Sequence, residues 1–169
     1  MAKSLRLLAL IVPLVFSIRA SAEEFRLSDD VKALADEYET EDIPSELIQA
    51  VIWTESRGVT DVVSADGYNV GLMQLHVWYF NGDLTDPANN VRQGAEYLQS
   101  LFDTYGDISK ALMAYHGEGT VNKPPSYYAR SITALAAQIR LNKRDKAIKA
   151  INAQMQAAGG LPAFRRLTQ

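Results

Sequence analysis

The sequence predicts an all-α, predominantly helical protein with a single domain. Apolar residues recur at the 3.6-residue period of amphipathic helices in several stretches. The alternation typical of strands does not occur at convincing length, since the run at 59–63 is too short. A chain of 169 residues with 47% hydrophobic and 22% charged residues is long enough and apolar enough for one globular core.

Residues 1–22 are predicted to form a secretory signal peptide. Lys3 and Arg6 make a basic start, residues 7–18 form an apolar run, and Ala-Ser-Ala at 20–22 fits the cleavage rule. At about 1.5 Å per residue this run is too short for a bilayer core, so an uncleaved anchor or a buried helix is the less favoured alternative. We therefore expect a periplasmic or secreted protein that begins at Glu23 and contacts the membrane only through this leader.

The segment 23–43 is predicted to hold an N-terminal helix. Ser28 is a suitable N-cap for a helix that runs to Glu39. A short turn at 40–44 should then separate it from the next helix. The apolar face of the N-terminal helix consists of Val31, Leu34, Ala35 and Tyr38.

The helix predicted at 45–56 carries a carboxylate on its apolar stripe. Pro44 and Ser45 give the start signal, with Ser45 as N-cap. Glu55 follows Val51 by four residues on the stripe. Burial and the negative partial charge of a helix C-terminus would both raise the pKa of Glu55, as a general acid near neutral pH requires. The alternative is a frayed helix end at which Glu55 reaches solvent or pairs with a surface cation.

Downstream, the sequence predicts a structured loop and four more helices. The loop at 58–71 is rich in turn formers. Asp86 and Pro87 open a long helix, in which Gly94 should permit close packing. Asp107 caps a shorter helix that stops at 117–119. Two further helices are expected at about 126–142 and, with a basic surface, at about 145–157.

The charge is distributed unevenly along the chain. Residues 133–169 carry +6 and residues 1–22 carry +3, so a net charge of −3 leaves −12 on residues 23–132. An acidic body of this kind excludes a nucleic-acid platform. The basic segment 133–169 is interpreted as a solvated helical extension that closes the domain. The alternative is a docking segment for an anionic wall polymer, a membrane surface or an envelope-spanning machine.

Neither a metal nor a cofactor is predicted. The sequence has no cysteine, which excludes disulfides, thiol catalysis and zinc–thiolate sites. Its two histidines, His76 and His116, show no ligand spacing.

Six short motifs follow one another between residues 44 and 132. They are Glu-Ser at 55–56, Ser-Ala-Asp-Gly at 64–67, Gly-Leu-Met-Gln at 71–74, Asp-Pro-x-x-Asn-Val-x-x-Gly-x-x-Tyr-Leu at 86–98, Ala-Tyr-His-Gly-Glu-Gly at 114–119 and Tyr-Ala-Arg-Ser-Ile at 128–132. In this order and at this spacing they resemble the soluble-lytic-transglycosylase-like (SLT domain) family of peptidoglycan lytic transglycosylases. The chain is most similar to the small exported type associated with secretion, conjugation or phage.

This resemblance implies a lysozyme-like catalytic domain at 44–132 with a groove for a glycan strand. It implies that Glu55 protonates the glycosidic oxygen between N-acetylmuramic acid and N-acetylglucosamine. The same side chain, now a carboxylate, would take the proton of the C6 hydroxyl, which closes onto C1 as a 1,6-anhydro ring. The reaction consumes no water and locally opens the cell wall.

The resemblance also implies substrate-binding roles around the acid. Ser64 would lie near the N-acetyl group, and Gly71 would let the backbone approach the sugar. Met73 and Gln74 would line the groove. From the residues alone, Ser64 is equally a turn hydroxyl, Met73 a core side chain and Gln74 a solvated one.

The remaining implied positions come from the last two motifs. Tyr115 matches the tyrosine whose hydroxyl holds the catalytic acid, and Tyr128 would form part of the groove wall. His116 stands where the family usually has asparagine, which can make activity sensitive to pH near neutrality. Without the motif, Tyr115 would be interpreted as a core tyrosine with a satisfied hydroxyl.

Two other functions remain open from the sequence. A lysozyme-type muramidase would hydrolyse the same bond with a second carboxylate, for which Asp61 and Asp66 are the nearby candidates. A catalytically weak glycan-binding assembly protein would explain the change at His116. A single acid on an apolar stripe favours the transglycosylase, because there the substrate supplies its own nucleophile.

Overall fold

The computed structural model describes residues 25–119 and 122–157, and this part of the chain is predominantly helical, as predicted. Its elements, in chain order, are α1 (Asp29–Glu37), α2 (Ser45–Ser56), β1 (Asn69–Val70), β2 (Leu75–His76), α3 (Pro87–Tyr105), α4 (Ile108–Tyr115) and α5 (Tyr127–Ala157). The predicted signal peptide and its cleavage site lie outside the described residues. None of the helices in the described part is both long and apolar enough to cross a membrane.

Helix α2 is buried along most of its length and forms the centre of the core. Helices α1 and α5 pack against it, α3 packs against α4, and α4 also contacts α5. Burying one aliphatic side chain contributes roughly 1.5–3 kcal/mol. The buried row of α2 therefore fixes this helix firmly, and with it Glu55 in the last turn; the row comprises Leu47, Ile48, Val51 and Ile52.

Three of the four predicted N-caps are confirmed. Ser28 Oγ accepts a hydrogen bond from the Val31 amide, and Asp86 and Asp107 cap α3 and α4 in the same way. The assignment of Ser45 as N-cap is wrong. Pro44 occupies that position, and the buried Ser45 hydroxyl instead donates to Asp36 of the preceding segment.

The loop after α2 contains a hairpin that the sequence did not indicate. Asn69 pairs with His76 and Val70 with Leu75, while Val63 makes an isolated bridge to Val70. Strands of two residues are too short to show alternation, which is why periodicity missed them.

The amide of Asn90 joins this hairpin to α3. Its Nδ2 donates to the carbonyls of Val70 and Leu84 at 2.8 and 2.9 Å, and its Oδ1 accepts from the Met73 amide at 2.8 Å. Asn90 is fully buried, so these three bonds satisfy a side chain that would otherwise be costly to bury. One residue of α3 therefore sets the position of the segment 70–73.

Helix α5 is continuous, whereas the sequence predicted two helices with a break near residue 143. No proline or glycine interrupts 127–157, so local sequence does not force a break. Ala136 and Ile139 are buried in the core, and the helix is exposed from Leu141 onward. The basic segment 133–169 thus begins inside the last helix of the domain. Lys143 lies 3.2 Å from Glu46 of α2 and ties the two helices together.

Candidate active site

Glu55 lies in the last turn of α2 and is half-buried, as its place on the apolar stripe predicted. The hydroxyl of Tyr128, at the start of α5, donates a hydrogen bond to Glu55 Oε1. Burial raises the pKa of Glu55, and the hydrogen bond from Tyr128 and the charge of His116 oppose that rise without cancelling it. The site thus holds a carboxyl group with a raised pKa and one oxygen already engaged.

Tyr128 is held by its hydrogen bond to Glu55 and by a stacking contact with His116. His116, which follows α4, stacks on its ring with centroids 4.1 Å apart and planes 19° from parallel. The Nδ1 atom of His116 lies 3.3 Å from Glu118 Oε1. Burial raises the pKa of Tyr128 well above its usual value, and the charge of Glu55 adds to this, so the phenol stays protonated and able to donate.

Two clefts meet at His116. The first has a volume of about 590 Å³ and the second about 790 Å³. The first is lined by Asn69, Gln74, Leu75, His76, Tyr79, Phe80, Tyr97, Ala114, Tyr115, His116 and Gly117. The second is lined by Trp53, Thr54, Arg57, His116, Glu118, Ser126, Tyr127, Tyr128, Ser131 and Leu135. Glu55 itself lines neither cleft, but a polymer that followed both clefts would pass Tyr128, whose hydroxyl is bonded to Glu55.

The predicted contact between Tyr115 and the acid does not occur. The Tyr115 hydroxyl donates to the carbonyl oxygen of Met73 at 2.8 Å. Burial of the hydroxyl raises the pKa of Tyr115 well above the usual value, and the charge of Glu55 contributes to that rise. Tyr115 therefore lies near the acid and lines the first cleft, but Tyr128 makes the bond. No local pattern predicts this contact, since Tyr128 and Glu55 are 73 residues apart.

The predicted roles of Gly71 and Met73 also differ from the structure. Gly71 has φ +79°, and a Cβ there would lie 2.5 Å from the Leu84 carbonyl oxygen and closer still to the Asn90 amide. Protein, not open space for a sugar, fills this position. The Met73 side chain is fully buried and packs on Gly94, where a Cβ would lie 2.5 Å from its sulfur. Met73 is thus a core residue, and Gly94 permits close packing as expected.

Gln74 and Ser64 have different surroundings. Gln74 lines the first cleft with a left-handed backbone (φ 49°), and its Nε2 donates to the carbonyls of Gly71 and Val62. The Ser64 hydroxyl donates to Asp66 and accepts from the Asn69 amide, so it organises the turn before β1 and does not line either cleft.

Neither Asp61 nor Asp66, the two predicted candidates for a second carboxylate, lines either cleft. Asp66 is exposed, and hydrogen bonds from the Ser64 hydroxyl and the Tyr68 amide lower its pKa. Asp61 is also exposed. Within the described residues no aspartate or other glutamate perturbs the pKa of Glu55. In the same part of the chain, no group of three or more histidine or acidic side chains is arranged to hold a metal ion.

Comparison with known proteins agrees with this geometry. Residues 34–135 match the family model described as the transglycosylase SLT domain, which is more than half of the chain. The protein therefore belongs to the transglycosylase SLT domain family, as its motifs indicated.

One relative is named as an enzyme. The chain is 39% identical over 75 residues to a protein named transglycosylase from Enterobacteria phage PRD1. The aligned region covers 42% of this chain and 28% of that relative, so the chain spans only a minor part of its length. No solved structure matches the chain significantly.

Proposed function

We propose that this protein is a peptidoglycan lytic transglycosylase in which Glu55 acts first as acid and then as base. The observation that carries the proposal is the half-buried Glu55, with a raised pKa and a hydrogen bond from Tyr128, beside two clefts that share His116. Membership of the SLT domain family supports the substrate class.

In the first step Glu55 donates a proton to the glycosidic oxygen. Tyr128 occupies Oε1, so Oε2 carries the transferable proton. Because the pKa of Glu55 is raised by burial, a larger fraction is protonated near neutral pH than for an exposed glutamate. The C1–O bond of the N-acetylmuramic acid residue breaks, and the departing sugar leaves with that proton as its hydroxyl.

In the second step the Glu55 carboxylate removes the proton of the C6 hydroxyl. The C6 oxygen bonds to C1 and closes the 1,6-anhydro ring, so Glu55 ends the cycle protonated and no water is consumed. The Tyr128 hydroxyl favours the carboxylate that forms between the two steps, since it donates to the charged oxygen. The absence of a second acid acting on Glu55 within the described residues supports a mechanism in which the substrate provides the nucleophile.

The test is mass spectrometry of the products from purified peptidoglycan, with Glu55→Gln in parallel. Glutamine preserves the shape of the side chain but has no acidic proton that it could transfer to the glycosidic oxygen. Glu41→Gln is the matched control, because it makes the same substitution at an exposed glutamate that lines neither cleft. We expect anhydro products from the wild type and the control, and none from Glu55→Gln.

Two other outcomes would replace the proposal. Products heavier by one water, and lost in Asp66→Asn or Asp61→Asn, would establish a muramidase. A folded wild type that binds glycan but releases no product would establish the binding protein.

We also propose that the protein is exported and works in the periplasm or outside the cell. The support is the leader pattern at 1–22, and the test is the N-terminal sequence of the protein recovered from the periplasm, which we expect to begin at Glu23. Besides glycan strands, the proposed partner is an envelope-spanning secretion, conjugation or phage machine. Its support is the relative from phage PRD1, and its test is co-purification of the protein with such a machine.

A further inference from the structure

Four aromatic rings form an exposed cluster at the hairpin, which we call the hairpin aromatic cluster: Tyr68, His76, Trp78 and Tyr79. Trp78 is 72% and Tyr79 77% exposed, although neighbouring rings lie within 5.0–5.5 Å of one another. Large aromatic side chains exposed together are uncommon unless they contact something. The mechanism proposed above does not use them.

The cluster is held rigidly by the backbone. The Val77 amide donates to the Tyr68 carbonyl at 2.9 Å, and the Tyr79 amide donates to the His76 carbonyl at 3.0 Å. The Trp78 amide donates to His76 Nδ1 at 3.3 Å, and the His76 ring stacks on Tyr68 with planes 9° apart. A backbone ordered in this way, with the His76 ring bonded to it, reduces the conformational entropy lost when a ligand stacks on the cluster.

The cluster is continuous with the first cleft. His76 and Tyr79 belong to the cluster and also line that cleft, together with Tyr115 and His116 beside the acid. A ligand that extends from the Glu55 site through the first cleft would therefore reach the face of the cluster.

The chemistry around the cluster favours a ligand with hydroxyl groups over an anionic lipid surface. The body of the protein, residues 23–132, carries −12, and the ionised Asp66 lies next to Tyr68, to whose amide it is bonded. Such surroundings repel anionic lipid headgroups. They suit a sugar ring, whose C–H face packs on an aromatic ring and whose hydroxyls donate to a carboxylate.

We propose that the hairpin aromatic cluster is a sugar-stacking subsite that binds the glycan strand several residues away from the bond that is cleaved. The proposal rests on the proposed function for the identity of the strand. Its consequence is a preference for longer glycans, since a strand must extend beyond the first cleft to contact Trp78, which does not line that cleft.

The test measures binding directly, without turnover. Titration calorimetry with the β-1,4-linked hexamer of N-acetylglucosamine is performed on the Glu55→Gln protein, alone and combined with Trp78→Ala, Tyr79→Ala or Trp78→Phe. Leu141→Ala is the control, an exposed apolar residue on α5 outside both clefts. We expect each alanine to raise the Kd by roughly two- to tenfold. Trp78→Phe should recover most of the affinity, and the control should bind as the parent does.

Kinetics and a lipid probe complete the test. In the active protein, Trp78→Ala should raise KM for long glycan strands and leave kcat unchanged. The proposal is overturned if Trp78→Ala and Tyr79→Ala bind the hexamer as the parent does, or if the folded parent does not bind it. It is also overturned if Trp78 is required for sedimentation with phosphatidylglycerol vesicles and not for sugar binding. Trp78-dependent binding by a wild type that forms no anhydro products would refute the proposed function and leave the subsite standing.

Discussion

Replacing Tyr128 with phenylalanine removes the hydroxyl that donates to Glu55 Oε1 while leaving a ring that can still stack on His116. A hydrogen bond to a charged group contributes roughly 1.5–3 kcal/mol. The carboxylate that exists between the two chemical steps would lose this stabilisation. We therefore expect kcat to fall by roughly 10- to 100-fold.

The same change should alter the pH dependence in a defined direction. Glu55 must be protonated to begin the reaction, so activity falls as pH rises through its pKa. The Tyr128 bond lowers that pKa, and its loss should raise it. The alkaline limb of the kcat profile should thus move to higher pH in Tyr128→Phe, although the maximal rate is lower.

Tyr115→Phe is the matched control. Its hydroxyl donates to the Met73 carbonyl and not to Glu55, so its loss should lower stability and leave the alkaline limb in place. Both variants are assayed for release of soluble muropeptides between about pH 5 and pH 9, the range in which a raised glutamate pKa acts. A shifted limb in Tyr115→Phe, with an unshifted one in Tyr128→Phe, would refute the assignment of Tyr128 as the partner of the acid.

Three further predictions concern stability. Asn90→Ala removes three buried hydrogen bonds and should cost about 3 kcal/mol or more, seen as a Tm lower by roughly 6–12 °C in thermal unfolding. Gly71→Ala should destabilise the protein more than Gly67→Ala does. Both glycines have a positive φ, but only at Gly71 would a Cβ collide with protein. Equal Tm values of the two variants would contradict this. Glu55→Gln should gain stability relative to the wild type as pH rises. The folded-state pKa of Glu55 is raised, so the carboxyl stabilises the fold fully below the ordinary pKa of 4.5. The wild type loses this stabilisation as pH rises through the folded-state pKa, whereas the glutamine variant does not titrate. Differential scanning calorimetry at about pH 4 and pH 8 checks this, and a Tm difference that does not grow with pH would contradict it.

Local sequence was sufficient for most of the helices. Caps at Ser28, Asp86 and Asp107 were correctly placed because a cap is decided by residues within one turn of each other. The two errors of this kind are the cap at Ser45 and the break in α5. The first is a tertiary effect, since Ser45 bonds to Asp36 of α1. The second is not, because no proline or glycine in 127–157 forces a break, and the mostly exposed Lys143 only adds an ion pair with Glu46 at that point.

The candidate site was only partly accessible from sequence. The place of Glu55 on a buried stripe is a property of one helix, so periodicity revealed it. The roles of Gly71 and Met73 were misassigned because motif position does not show which side of the chain faces solvent. In the folded protein Asn90 and Gly94 occupy the space next to them.

By itself the sequence determined the helical class, the membership of the SLT domain family and the place of Glu55 on a buried helix stripe. All three depend on patterns that are read along the chain over a few residues. Only the tertiary structure decided that Tyr128 binds the acid, that Tyr115 does not, and that the rings at 68–79 adjoin the cleft. These contacts join residues brought together by the packing of α5 on α2 and of α4 on α5, and no local period encodes contacts between residues so far apart in the chain.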